Sequence, residues 1–234
     1  EPAPLPRIRV EEPTVGMIFS VNDGPFGGRD GKKVTSRQIL ERLERELLMN
    51  VAVRMERTDS NEAFKVIGRG ELALGVVIET MRREGFELCV SKPQVIMKTE
   101  NGKLLEPFEI AIIDIEDQFV GVVTEKMGIR KGVMTNMNTK GSGRTRLEFR
   151  IPSRGLIGYR SEFLTDTRGT GLLNTQYDGY DDYRGTIEAR KNGSMISDRT
   201  GVAVAYAIWN LQERGRMFVH PQTDGYEGMI VVEN

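Results

Sequence analysis

The stretch Gly70-Glu-Leu-Ala-Leu-Gly-Val-Val-Ile-Glu-Thr-Met-Arg-Arg-Glu-Gly85 decides the fold. Leu74, Val77, Ile78 and Met81 recur in it at i, i+3, i+4 and i+7, which makes one apolar stripe of a helix. Gly85 follows as a C′ residue, with Phe86 as the hydrophobic residue after it. Two strand-like runs precede the helix. One spans residues 50–57, where Val51, Val53 and Met55 alternate to one face, and the other carries Phe64, Val66 and Gly68. Upstream of these, Thr35 caps a helix, Gln38 completes a capping box, and Leu40, Leu43 and Leu47 form its stripe with Ile39 beside it. That helix is preceded by a strand over residues 14–21 and a glycine-rich loop over 22–33. Residues 87–98 close the unit, interrupted by Pro93, which marks an edge or a bulge. Strand, helix, strand, strand, helix, strand is the split βαβ, ferredoxin-like order.

The same order is expected a second time. After the turn Asn101-Gly102 come a strand over 107–115 and a helix over 118–127 that ends near Gly128. A hairpin over 132–137 and 144–150 turns at residues 140–143, and Leu147, Phe149 and Ile151 alternate along its second arm. Pro152-Ser153 introduces a helix over 156–164, with Ser153 as its cap, and a last strand covers 172–177. Residues from Arg184 onward belong to neither copy. There 203–211 is apolar and β-prone (Val204, Tyr206, Ile208), and 229–232 reads as a strand. The expected fold class is therefore α+β: ferredoxin-like domains over 14–99 and 100–183, then the start of a β-rich domain over 184–234. Residues 1–13, with four prolines, read as a linker or the last edge of a preceding domain.

The chain has 33 Lys and Arg against 34 Asp and Glu, so a polyanion contact would have to come from local clustering rather than overall charge. The single cysteine, Cys89, excludes an intrachain disulfide framework and fits a reducing cytosol. Lying in Leu88-Cys89-Val90, it is expected to be a buried thiol. No apolar run reaches the roughly 20 residues of a membrane span, and no signal peptide is expected. The chain opens at Glu1-Pro-Ala-Pro4 without Met and stops directly after 229–232, so both ends read as cut and a piece of a longer protein is expected.

Catalytic chemistry is sparse. Gly27-Gly-Arg-Asp-Gly-Lys32 has no glycine five positions before Gly31, and Lys33 stands where a phosphate loop needs Ser or Thr. Asn138-Thr-Lys-Gly141 lacks the aspartate of a guanine-reading motif. His220 is the only histidine, which leaves no zinc set and no Ser-His or Cys-His pair. No catalytic, cofactor-binding or metal-ligating residue is expected. Asp178, Asp181 and Asp182, interleaved with Tyr177, Tyr180 and Tyr183, read either as a solvated linker or as the acids of a metal-dependent hydrolase. An effector-binding regulatory pair is a third reading, by fold analogy alone. Tandem units with so few catalytic side chains read first as a docking device.

The binding candidates are cations. In Ile151-Pro-Ser-Arg-Gly-Leu-Ile-Gly-Tyr-Arg-Ser-Glu-Phe163, Arg154 and Arg160 fall near helix starts, where positive charge opposes the macrodipole. An anion or acidic partner would relieve that cost, although Glu162 nearby allows an ordinary surface reading. Gly155 and Gly158 allow another backbone to approach closely. Arg69-Gly70-Glu71 is a similar junction in the first copy. Arg82-Arg83 and Arg130-Lys131 follow helices, where positive charge is favourable anyway. Lys140, Arg144 and Arg146 surround a glycine turn and could meet a phosphate backbone, or could simply be solvated. With aromatics at 7% of residues, a base-stacking platform is not supported.

Five strings resemble the BipA (TypA) family of bacterial ribosome-associated translational GTPases, relatives of EF-G and LepA. They are Glu11-Glu-Pro-Thr-Val15, Val34-Thr-Ser-Arg-Gln-Ile-Leu40, Gly68-Arg-Gly-Glu-Leu72, Met81-Arg-Arg-Glu-Gly-Phe-Glu-Leu88 and the 151–163 string. The resemblance covers essentially the whole chain. It implies a GTPase domain and a β-barrel before this region, with GTP and magnesium held there, and units corresponding to domains III and V of EF-G. Residues 1–13 would then end the barrel, and 184–234 would begin the family's own C-terminal domain. It further implies a monomeric cytoplasmic factor in translation, ribosome assembly and stress response. Its partners would be ribosomal RNA and proteins near the factor-binding site, not DNA or membrane. Arg154, Arg160, Lys140, Arg144 and Arg146 are the expected ribosome contacts. Arg69, Glu71 and Arg37 are the expected relay between domains.

Overall fold

The structure, a computed structural model, describes residues 12–139, 141, 143–188 and 193–233. Chain contacts divide it between Ile187 and Glu188 into two compact units, each described by itself.

The first copy runs β1 (Val15–Ser20), α1 (Ser36–Met49), β2 (Arg54–Arg57), β3 (Ala63–Gly68), α2 (Glu71–Arg83), β4 (Cys89–Val90) and β5 (Gln94–Val95). The Thr35–Gln38 capping box starts α1, as its spacing predicts. The sheet is antiparallel, in the order β2-β3-β1-β4. Val15, Met17 and Phe19 of β1 share a face with Phe64 and Val66 of β3 and pack under Ile39, Leu43, Leu74, Val77 and Met81 of the helices. Each such buried side chain contributes about 2 kcal/mol of transfer free energy.

Three expectations need correction here. The strand expected from residue 50 starts at Arg54, because Asn50 closes α1 by donating its N–H to the Glu46 carbonyl, and Val51 stays 79% exposed. The closing strand expected over 87–98 is two short strands. β4 pairs with Phe19 and Ser20, β5 with Val15 and Gly16, and the Ser91 hydroxyl bridges the interruption by accepting from the Ile18 N–H at 2.9 Å. Cys89 is exposed, not buried. It pairs with Ser20, on the sheet face away from the helices, and its thiol lies 3.4 Å from Asn22 Oδ1.

A hairpin at Asn101-Gly102, both at positive φ, joins β6 (Lys98–Glu100) to β7 (Lys103–Glu116) and opens the second copy. A 3-10 turn (Asp117–Phe119) leads into α3 (Val120–Ile129). Then come β8 (Val133–Thr139), β9 (Arg144–Pro152), α4 (Ser153–Leu156), α5 (Tyr159–Asp166) and β10 (Leu172–Asp182). The sheet order β10-β7-β9-β8 repeats the first copy's topology. Its separate core holds Ala111, Ile113, Ile115, Val123, Met127, Leu147, Phe149, Ile151, Tyr159 and Phe163. The single helix expected over 156–164 is two pieces, broken where Gly158 takes φ 72°. Gly155 lies against the Arg130 carbonyl, where an added Cβ would sit 2.6 Å from that oxygen. Ser153 is not a cap: Pro152 holds that position, and the Ser153 hydroxyl is buried without a partner among the described residues.

The unit after Ile187 holds β11 (Ser194–Ile196), β12 (Gly201–Val202), α6 (Ala205–Leu211), β13 (Arg216–Met217), β14 (Asp224–Gly225) and β15 (Ile230–Glu233). β11-β15-β13 and β12-β14 form its two small sheets. The β-prone run 203–211 is therefore mostly helix. Val204, Ala207, Ile208 and Leu211 have helical spacing and turn together to line a cavity of about 470 Å3 with Val219 and Val231.

Candidate nucleic-acid interface

The expected cations fall into two groups. Arg154, on the single turn of α4, is held inside the second copy. Its Nε and Nη2 donate to the Glu106 carboxylate, Nη2 also reaches the Gly185 carbonyl, and its guanidinium stacks 4.6 Å from the Tyr183 ring centre. Glu106 is 0% exposed and takes a third hydrogen bond from the Arg184 N–H at 2.7 Å. Arg144 is similarly engaged by Asp114 at 2.6 Å and by the carbonyls of Asp114 and Thr170. Arg146 is more open and lies 3.5 Å from Glu148. Lys140 lies outside the described residues.

Arg160 differs from these. It is exposed on the first turn of α5 and, among the described residues, makes no ion pair or hydrogen bond through its side chain. Arg69 is equally exposed and unpaired ahead of α2. Among the described residues Arg37 makes only an i,i+4 pair with Glu41, on the surface of α1. Glu71 reaches the other copy: its two carboxylate oxygens accept the Gly158 N–H at 3.2 and 3.1 Å. A second tie joins the copies at the start of β6. Lys98 pairs with Glu12 at 2.9 Å and lies 4.0 Å over the Tyr180 ring, while the Tyr180 hydroxyl donates to the Ile96 carbonyl at 3.0 Å.

Arg82 and Arg83 both pair with Glu79. Arg130 donates to Glu162 and to the Gly155 carbonyl, which ties α3 to the α4–α5 break. Of the acidic cluster, Asp178 and Asp181 both hold Arg150, at 2.6 and 2.5 Å, and Asp182 is 3.7 Å from Lys103. The positive charges held there are the Arg150 guanidinium and, beside Asp182, the Lys103 ammonium. Among the described residues no group of three or more His, Cys, Asp or Glu is arranged to hold a metal ion.

The glycine-rich loop contains a feature that the sequence reading missed. The N–H groups of Gly28, Asp30 and Gly31 and the Asn22 side-chain amide all donate to the Glu87 carboxylate, at 2.6, 3.0, 2.9 and 2.7 Å. These bonds, those of Gly28 and Gly31 foremost, hold Glu87 down to about 2. The loop is an anion nest already filled by the protein's own carboxylate. Lys33 lies over the Phe86 ring, 4.6 Å from its centre. Glu87 lies more than fifty residues from the loop, and no local spacing marks the pairing. The same holds for Glu106 and Arg154, 48 residues apart.

The second copy, with its β10-β7-β9-β8 sheet under α3 to α5, matches the domain described as "Elongation factor G C-terminus" over residues 103–191. By sequence the second copy is similar to the C-terminal domain of elongation factor G. Residues 192–234 match "TypA/BipA C-terminal domain". The chain is 54% identical over 228 residues to the proteins named "Large ribosomal subunit assembly factor BipA" in Escherichia coli (strain K12) and Salmonella typhimurium, covering 97% of this chain and 38% of theirs. The protein of that name in Synechocystis sp. is 50% identical over all 234 residues, which are 39% of its length. This chain belongs to the TypA/BipA family, and it spans about two fifths of the length of the curated relatives it matches.

Proposed function

We propose that this chain is the ribosome-docking portion of a TypA/BipA translational GTPase, acting on the large ribosomal subunit. The observation that carries the reading is the even likeness, at half identity or more, to proteins named as large-subunit assembly factors. In this reading the second copy rests on ribosomal RNA and protein near the factor-binding site. The first copy passes on the state of a nucleotide bound outside these 234 residues, where GTP and magnesium belong. The protein works as a cytoplasmic monomer, with neither DNA nor membrane as a partner. Arg160 is the foremost RNA contact, because Arg154 and Arg144 are held by Glu106 and Asp114 and Arg146 lies 3.5 Å from Glu148; Arg146 and Lys140 come after it. Glu71 is the foremost relay residue, because it alone of Arg37, Arg69 and Glu71 bonds to the other copy.

Co-sedimentation with purified large and small subunits tests the reading. The expected result is pelleting with the large subunit and not the small one. Equal pelleting with both, or none with either, would overturn it.

A further inference from the structure

The two copies have separate cores. The buried apolar residues of the first lie between Val15 and Phe86, and those of the second between Ala111 and Phe163. Their relative orientation therefore rests on the seam where they meet, and units joined by a small polar seam move against each other unless something fixes them. The strand registers place that seam. Gly68, Val15 and Val95 stand side by side at one end of the first sheet, and Pro152, Phe108 and Gly179 at one end of the second. β5 belongs to the first sheet and β6 to the second, so the chain crosses from one copy to the other through Ile96 and Met97 alone.

Among the described residues the hydrogen bonds that join the copies fall at two places. One is the crossing. The Ile96 N–H donates to the Thr14 carbonyl at 2.8 Å, and the Ile96 carbonyl accepts from the Tyr180 hydroxyl at 3.0 Å. Lys98 pairs with Glu12 at 2.9 Å and lies over the Tyr180 ring. Ile96 is thus held by both copies, as a pivot must be. The other place is the contact of Glu71, which starts α2 just beyond Gly68, with Gly158, which lies beyond Pro152 at the break between α4 and α5. There one exposed N–H is shared between two carboxylate oxygens at 3.2 and 3.1 Å. Charge-assisted bonds are usually about 2.7 to 2.9 Å long, so this one is made to be broken more readily than most.

We infer that the two copies form a hinged pair, which pivots at Ile96–Met97 and is latched by the Glu71–Gly158 hydrogen bond. A few residues between elements suffice to absorb such a rotation. Latched, the start of α5 moves with the first copy; unlatched, it moves with the second copy alone. The inference goes beyond the ribosome-docking reading and does not depend on it.

The test measures distances by double electron–electron resonance in the 234-residue chain. Cys89, exposed in the first copy, carries one spin label, and Glu125→Cys, at an exposed position of α3, carries the other. This labelled chain is the reference for Glu71→Ala, Glu71→Gln and Tyr180→Phe made in it. Glu71→Ala removes the latch and should raise the ratio of open to closed chains at least about tenfold, the effect of losing one hydrogen bond to a charged group, read as a second distance. Glu71→Gln keeps an acceptor for the Gly158 N–H and should keep the reference distance. Tyr180→Phe should keep it too, because the covalent crossing and the latch both remain. A Glu71→Ala distribution equal to the reference overturns the latch. Opening by Glu71→Gln as large as by Glu71→Ala overturns the hydrogen bond as its cause, and equal opening by Tyr180→Phe overturns the assignment of pivot and latch. Hydrogen exchange at Val66 and Phe149, one in each core, should match the reference in every variant; an open population that loses this protection is unfolding and overturns the hinge.

Discussion

Replacing Arg154 with glutamine should cost stability, not ribosome affinity. The Arg154 side chain is 17% exposed and its partner Glu106 is fully buried. Loss of the guanidinium leaves Glu106 in the interior with the Arg184 N–H as its remaining donor among the described residues, and removes the stacking on Tyr183. Breaking a buried pair from one side costs about 3 to 5 kcal/mol, and the edge of Arg154 that stays in water places this case near 3. With a urea m-value of about 2.5 kcal/mol per molar, the midpoint should fall by about 1.2 M. Far-UV circular dichroism during urea titration reads the shift. The double variant Arg154→Gln/Glu106→Gln should recover part of the loss, because it removes the stranded charge along with its partner. A midpoint within about 0.2 M of wild type would refute the reasoning, since surface changes stay inside that range. So would a double variant no more stable than Arg154→Gln.

Further outcomes follow from the other buried and exposed groups. Glu87 is held below its ordinary value of 4.5, at about 2, so its hydrogen bonds to the loop stabilise the fold fully above about pH 4.5 and are lost as pH falls toward 2. The stability gap between wild type and Glu87→Gln should therefore be constant above pH 5 and close on acidification. A gap that widens in acid contradicts this. Cys89 should be alkylated by iodoacetamide in the native chain, but more slowly at pH 8 than a free cysteine, because partial burial, then the nearby Asp23 and Glu87 charges, push its thiol above 9.0. Protection until unfolding would show the thiol to be buried. Trp209 is 69% exposed on α6, so acrylamide should quench its fluorescence nearly as well as that of a free indole.

Features written in neighbouring residues were legible in the sequence. The Thr35–Gln38 box, the Leu74–Met81 stripe and the alternation of Leu147, Phe149 and Ile151 each reflect an interaction within one element, and all three are present. The doubled order of elements followed from them. Errors came where a local pattern had two physical readings. Val51 and Val53 alternate like a strand, yet the chain there is still leaving α1 through the Asn50 cap. Val204, Tyr206 and Ile208 favour strands one by one, while Val204, Ala207, Ile208 and Leu211 share a helix face that only the cavity gives something to cover. Candidate cations were legible by type but not by state. Arg154 and Arg160 look alike beside helix starts, and the difference between them is Glu106, which β7 brings up from 48 residues away. Glu71 and Gly158, 87 residues apart, meet only because the two copies pack together.

Hydrogen exchange of the chain, free and bound to large ribosomal subunits, tests the proposed docking face most directly. The expected result is slowed exchange in residues 157–162, around Arg160, on binding, with Arg184 and the strand around Glu106 unchanged because those amides are already held in the free chain. Binding that leaves 157–162 as it was, with protection confined to residues 193–233, would contradict it.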